Sequence, residues 1–145
     1  MGCAEMGLFG PNVEKMKAAG DVAGLIDLLN AKQTVKVKAG QALIDLGDPA
    51  VGPLLDALST VGQPAATALA GMGIRPRSFE GVCDVLRDGN QIGQFAAVHA
   101  LTLWAMFGDE ASYDQLVWAS RNHPSIATKT CCGFALQDVA EPPIF

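Results

Sequence analysis

The sequence predicts an all-α fold, an α–α superhelix of four to five stacked helix pairs, and three observations carry that prediction. A short phrase recurs as Ala42-Leu43-x-x-Leu46, Ala68-Leu69-x-x-Met72, Ala100-Leu101-x-x-Trp104 and Ala135-Leu136-x-x-Val139, at spacings of 26, 32 and 35 residues. A second phrase alternates with it, as Leu25-Ile26-Asp27-Leu28-Leu29, Leu54-Leu55-Asp56-Ala57-Leu58, Val82-Cys83-Asp84-Val85-Leu86 and Leu116-Val117-Trp118-Ala119-Ser120. Two helical phrases alternating at this period indicate a solenoid, in which each pair buries its apolar face only against its neighbours. The third observation is punctuation: Gly20-Asp21, Gly47-Asp48-Pro49, Gly73 with Pro76, Gly108-Asp109 and His123-Pro124 fall where helices should end.

Each element follows from these marks. Helices are expected near 12–19, 21–30, 34–46, 49–60, 62–72, 77–88, 91–107, 110–121 and 125–139, in a single domain over 1–145 with repeats at 12–30, 34–60, 61–88, 90–122 and 124–140. Asp48-Pro49 is the clearest start, since Asp accepts backbone N–H bonds as an N-cap and Pro suits the first helical position. Asp21 and Asp109 are expected to cap likewise. The tail Glu141-Pro142-Pro143-Ile144-Phe145 cannot continue a helix. Four positions before each echoed Leu stand Ala39, Ala65, Ala97 and Cys132. One turn away on the same face, that slot calls for a small side chain, because a bulky one would push neighbouring helices apart.

Composition narrows the function classes. The chain has 145 residues, a net charge of −5, 50% hydrophobic residues and only 6% aromatics, as expected where helices meet through Ala and Gly. Its isoelectric point near 4.8 disfavours a phosphate-backbone ligand, so no nucleic-acid partner is expected. Cys3, Cys83, Cys131 and Cys132 have neither metal-site spacing nor the density of a secreted scaffold, which points to reduced thiols in a cytoplasmic protein. Cys132 belongs to the small-residue slot; whether Cys131 is reactive stays open. Residues 1–6 lack an apolar signal core, and Met6 stands where a myristoylation motif needs Ser or Thr. Two stretches without formal charge, Ala57 to Ile74 and Gly89 to Gly108, approach the length of a membrane span. Interrupted by Pro64 and glycines, or by Asn90, Gln91, Gln94 and His99, both read as buried helices and no membrane partner is expected.

Catalytic signatures are missing from the pattern. His99 on an apolar helix and His123 before Pro124 belong to no nucleophile arrangement, no glycine-rich phosphate loop follows a strand, and metal ligands do not cluster. The expected role is non-catalytic, with no cofactor and no metal.

At Val35-Lys36-Val37-Lys38-Ala39-Gly40-Gln41-Ala42-Leu43-Ile44-Asp45-Leu46-Gly47-Asp48-Pro49-Ala50-Val51-Gly52-Pro53-Leu54-Leu55-Asp56-Ala57-Leu58 the chain resembles the HEAT-like repeats of the phycobilisome-lyase type, whose pattern reads V-R-x-x-A-x-x-A-L-x-x-[IL]-G-D-P-x-A-V-x-P-L-[IL]-x-A-L. The stretch Val13 to Ile26 is similar to the first helix pair of such proteins. Val61-Gly62 and Gly93-Gln94 depart from the usual Val-Arg. The resemblance implies a right-handed α-solenoid whose first helices face outward and whose second helices line a concave side that binds other proteins. Related iron-dependent hydroxylases need His-Glu pairs that this chain lacks. Two alternatives stay open beside the scaffold. One is a bilin-lyase-like accessory protein binding a chromophore, against which the lone Tyr113 and the missing cofactor signature count. The other, a helical-repeat nucleic-acid binder, would need a basic groove.

Helical geometry then names a surface. At about 100° per residue, with offsets 0, 1 and 4 of the second phrase in the core, offset 2 points away from it. Those positions are Asp27, Asp56, Asp84 and Trp118, joined one turn away by Glu80, Asp114 and Arg121. They form a candidate partner-binding ladder, acidic and ending in a tryptophan, suited to a basic protein or peptide. A solvent-facing position also accepts Asp without any partner, though Asp is a poor choice in mid-helix. For Trp118 two readings stand: exposure with Arg121 stacked at i+3, or packing beneath the last helix. Trp104, in an echoed core slot, is read as packing. Partner identity and oligomeric state are not legible.

Overall fold

The computed structural model describes residues 6–7 and 10–140. Among these the fold is all-α: α1 (Val13–Ala18), α2 (Val22–Asp27), α3 (Gln33–Leu46), α4 (Asp48–Ala57), α5 (Gln63–Gly71), α6 (Pro76–Asp88), α7 (Gln91–Met106), α8 (Glu110–Asn122) and α9 (Ile126–Ala140). The one extended pairing described is antiparallel and two residues long, Met6–Gly7 against Gly10–Pro11. The readings made on Cys3 and on the tail 141–145 lie outside the described residues. No described helix is long and apolar enough to cross a membrane.

The expected starts and ends agree closely with the helices, and the cap chemistry explains why. The side chains of Asn12, Asp21, Asn90 and Asp109 each accept a hydrogen bond from the backbone N–H three residues on, which satisfies one of the donors a helix start leaves unpaired. Asp48 is a correction. Gly47, at φ +71°, precedes the first turn of α4 and Asp48 lies inside it without a cap bond; its carboxylate pairs instead with Arg75 at the start of α6. The second expected helix also ends early, since α2 stops at Asp27 and continues as a 3-10 turn over Leu28–Asn30.

Packing follows chain order, with each helix in substantial contact only with the next and the next but one. The odd-numbered helices α1, α3, α5, α7 and α9 form one row, and α2, α4 and α6 a second beside it, while α8 lies mainly on α7 and α9. This arrangement is compatible with a stack of helix pairs.

Between the rows runs the core: Leu25, Leu43, Leu54, Leu58, Leu69, Leu86, Leu101 and Leu116 are all fully buried, each contributing about 1.5–3 kcal/mol of transfer free energy. Ala39, Ala65, Ala97 and Cys132, the four members of the small slot, are each 0% exposed. Gly81 on α6 shows how tight the second row is, because an added Cβ would lie 2.4 Å from Leu55 Cδ1 of α4.

Directional bonds tie down the last helix. Gln91 Nε2 donates to Thr128 Oγ1, which donates to Gln94 Oε1, both at 2.7 Å, and Ser125 Oγ donates to Gln91 Oε1 at 3.0 Å. Buried His123 receives the Ser125 N–H on Nδ1 at 3.0 Å, so its Nε2 carries the proton donated to the Leu86 carbonyl at 2.7 Å. That bond joins α8 to α6.

Because Ala65 and Leu69 are fully buried, Ala65→Leu is expected to cost about 1–3 kcal/mol through overpacking, and Leu69→Ala about 2–5 kcal/mol through a cavity. The exposed change Gln137→Ala should stay within about 0.5 kcal/mol. Urea denaturation of the three variants checks the ordering.

Candidate functional site

Every residue of the predicted ladder is exposed: Asp27 on α2, Asp56 on α4, Glu80 and Asp84 on α6, and Asp114, Trp118 and Arg121 on α8. Their partners on the same phrases, Leu25, Leu54, Val82 and Leu116, are fully buried, so the offset rule sorts the two sides of these helices. The charge of the chain divides the same way. Helices α2, α4, α6 and α8 carry Asp27, Asp48, Asp56, Glu80, Asp84, Asp88, Glu110 and Asp114 against Arg77, Arg87 and Arg121, whereas the odd-numbered helices carry Lys15, Lys17, Lys36, Lys38 and Lys129 against Glu14, Asp45 and Asp138.

The ladder is less uniformly acidic than its sequence suggests. Asp84 pairs with Arg87 one turn on, Asp48 pairs with Arg75, and Asp45 receives Lys17 Nζ at 2.9 Å and Gln41 Nε2 at 3.0 Å. These bonds hold the Asp45 carboxyl below the usual carboxylate range and raise the Lys17 ammonium. Among the described residues, Asp27, Asp56 and Asp114 have no cation within 4 Å. The middle of the chain therefore draws its counter-charge from flanking helices, which a count along the sequence does not register.

Trp118 is 40% exposed, which places it on the surface rather than wholly beneath α9. Arg121 does not stack on it: the ring interaction found among the described residues is Phe79 with Trp104, their centroids 6.5 Å apart. α8 also lacks the extensive contact with α6 that joins α2 to α4 and α4 to α6. Asp27, Asp56, Glu80 and Asp84 thus share a packed row, and Asp114, Trp118 and Arg121 continue from it on a helix held to α6 through His123.

A second surface lies on the odd-numbered row, and the sequence reading missed it. Helices α5 and α7, taken as buried because they lack charge, each present one side to solvent: Gln63 and Thr67 on α5, and Ile92, Phe95 and Met106 on α7. Low charge marks an apolar surface here as much as a core. An open groove of about 620 Å³ runs along α7, lined by Gln63 of α5, Ile92, Phe95 and His99 of α7, and Cys131, Phe134 and Asp138 of α9. Another of about 560 Å³ lies between α3 and α5, with Gln63 common to both. Across the α5–α7 seam, Thr67 Oγ1 donates to the Gln63 carbonyl at 3.1 Å and stands 3.2 Å from His99 Nε2. The Gln63 amide nitrogen lies 3.4 Å from both ring nitrogens of His99, and with the Thr67 hydroxyl given to the Gln63 carbonyl, Nε2 is placed to donate to Thr67 Oγ1. Burial depresses the imidazolium form of His99, in keeping with this neutral tautomer.

Burial governs the thiols as well. Cys83 is pushed up to about 11 and Cys132 to about 12, while half-buried Cys131 is also raised. Cys83, Cys131 and Cys132 are all free, and the described residues hold no grouping of His, Cys, Asp and Glu fit for a metal ion.

Among the described residues, nine helices packed in chain order define the class, an all-helical protein. No family model and no curated protein matches the chain.

The thiols set an alkaline limit. Both buried thiols lie above the ordinary value of 9.0, so the unfolded chain ionises first, and stability present below pH 9 is lost as pH rises towards the folded values. The urea midpoint should fall above about pH 9, and less steeply in Cys132→Ala. Site-resolved alkylation of the folded protein should label Cys131 well before Cys83 or Cys132.

Proposed function

We propose that this protein is a non-catalytic HEAT-like repeat scaffold that binds a basic protein or peptide across the face of its second helices, α2, α4, α6 and α8. The observation that carries this reading is the segregation of charge: carboxylates predominate on one row of a chain whose other row carries most of its lysines. Packing of each helix on its next and next-but-one neighbours supports the solenoid, as does the resemblance of Val35 to Leu58, within small shifts of register, to the HEAT-like pattern. In such a stack the second helices line the concave side, and Asp27, Asp56 and Asp84 occupy the same phrase position on successive second helices. An ordered set of exposed carboxylates speeds encounter with a basic partner and sets its register. Trp118 adds a large apolar anchor at one end, a residue type favoured at interaction hot spots.

Replacing Asp27, Asp56 and Asp84 together by Lys reverses the row without touching a buried residue. Proteins captured from lysate by the wild type should be lost from this variant, and wild-type capture should weaken between about 0.05 and 0.5 M salt as screening shortens the field. An unchanged set of captured proteins at unchanged stability would remove this face as the binding surface.

A further inference from the structure

The groove between α3 and α5 lies on the opposite row and goes beyond that reading. It exists because α5 is narrow: its groove wall is Gln63, Pro64, Thr67 and Ala68, with no bulky side chain, and Gly40 of α3 faces it with nothing nearer than 3.9 Å to an added Cβ. The floor and far wall are apolar, from Leu29, Val37 and Ile44. Val37 is 58% exposed although it sits in mid-helix.

Charge gives the occupant. Lys36 lines the groove, and Lys32 stands four residues earlier, immediately before the first turn of α3. Neither has a carboxylate within 4 Å among the described residues, and no groove-lining residue is acidic. The nearest acidic residue on α3, Asp45, is already taken by Lys17 and Gln41. In a chain of net charge −5, this is an uncompensated positive rim beside an apolar slot. The groove also carries Gln33, Gln41 and Gln63, whose amides each offer a donor and an acceptor to a peptide bond. From Gln33 to Ile44 the wall runs about 17 Å, the span of about five extended residues.

We propose that the α3–α5 groove binds an extended segment of a partner protein in which Asp or Glu residues alternate with bulky apolar ones. The apolar side chains enter between Val37, Ile44 and Pro64, the carboxylates meet Lys32 and Lys36, and the glutamines hold the backbone. The protein then carries two faces of opposite preference, and each can be lost without the other.

The test is selection of displayed random 12-residue peptides on the folded full chain, followed by affinity measurement on synthetic copies. Recovered peptides should be net acidic with apolar anchors, should bind more weakly as salt rises, and should lose at least about tenfold in affinity to Lys36→Glu while Lys36→Arg retains it. Thr67→Phe, at an exposed position, should fill the slot and abolish binding with the helical circular dichroism unchanged. Asp27→Lys, Asp56→Lys and Asp84→Lys should leave it intact, which separates this proposal from the second-helix reading. Recovery of no peptide whose binding is lost in Lys36→Glu or Thr67→Phe, or of basic peptides whose binding is lost in Thr67→Phe, would overturn it, whereas basic peptides lost only in the Asp27, Asp56 and Asp84 variants belong to the other face. So would a dimer in solution that Thr67→Phe dissociates, since a second copy would then be the occupant.

Discussion

The close approach of α3, α5, α7 and α9 is the constraint on which the rest of the structure depends. It is set by Ala39, Ala65, Ala97 and Cys132, none of which shows any surface to solvent. With a methyl or thiol at each contact, backbones come near enough for Leu43, Leu69 and Leu101 to be completely enclosed, and dispersion contacts accumulate where one methylene more would force the helices apart. The second row obeys the same condition at Gly81, pressed against Leu55. A lean core of small residues is therefore a geometric requirement rather than a shortage of hydrophobic material.

Both candidate surfaces descend from that requirement. Since six of the nine residues of α5 are Ala, Thr or Gly, it fills its place in the odd-numbered row with little projection, and the depressions on either side of it are the consequence. The even-numbered helices bear most of the carboxylates instead. One row thus offers shape and apolar area, the other a field. Recognition by shape selects side-chain volume, whereas recognition by a field acts mainly on approach and orientation.

Helix positions were legible in the sequence because several signals agreed at each boundary. Asp21 and Asp109 cap as their residue type predicts, and the echoed phrases bury the faces that their spacing assigns. The outward direction of Asp27, Asp56, Asp84 and Trp118 followed from period alone. What escaped were pairings between residues far apart in the chain. Asp48 lacks the expected cap bond and pairs with Arg75, and Asp45 is met by Lys17 of a different helix. The odd-row grooves were equally invisible, because an uncharged helix such as α7 reads the same whether Phe95 and Met106 face the core or solvent. Periodicity places a side chain around its own axis; neighbours decide what that direction means.

The packing of each helix with only its near neighbours in sequence has a kinetic consequence. Contacts of short sequence separation close small loops, and chains dominated by them cross their folding barrier quickly. Such a chain has no single strand order that must be completed before anything is held, so nascent segments acquire lasting partners as soon as two or three helices have emerged. The cost falls where near neighbours are few: among the described residues α1 packs extensively only on α2 and α3, so its opening is expected to need less free energy than that of α5 or α7.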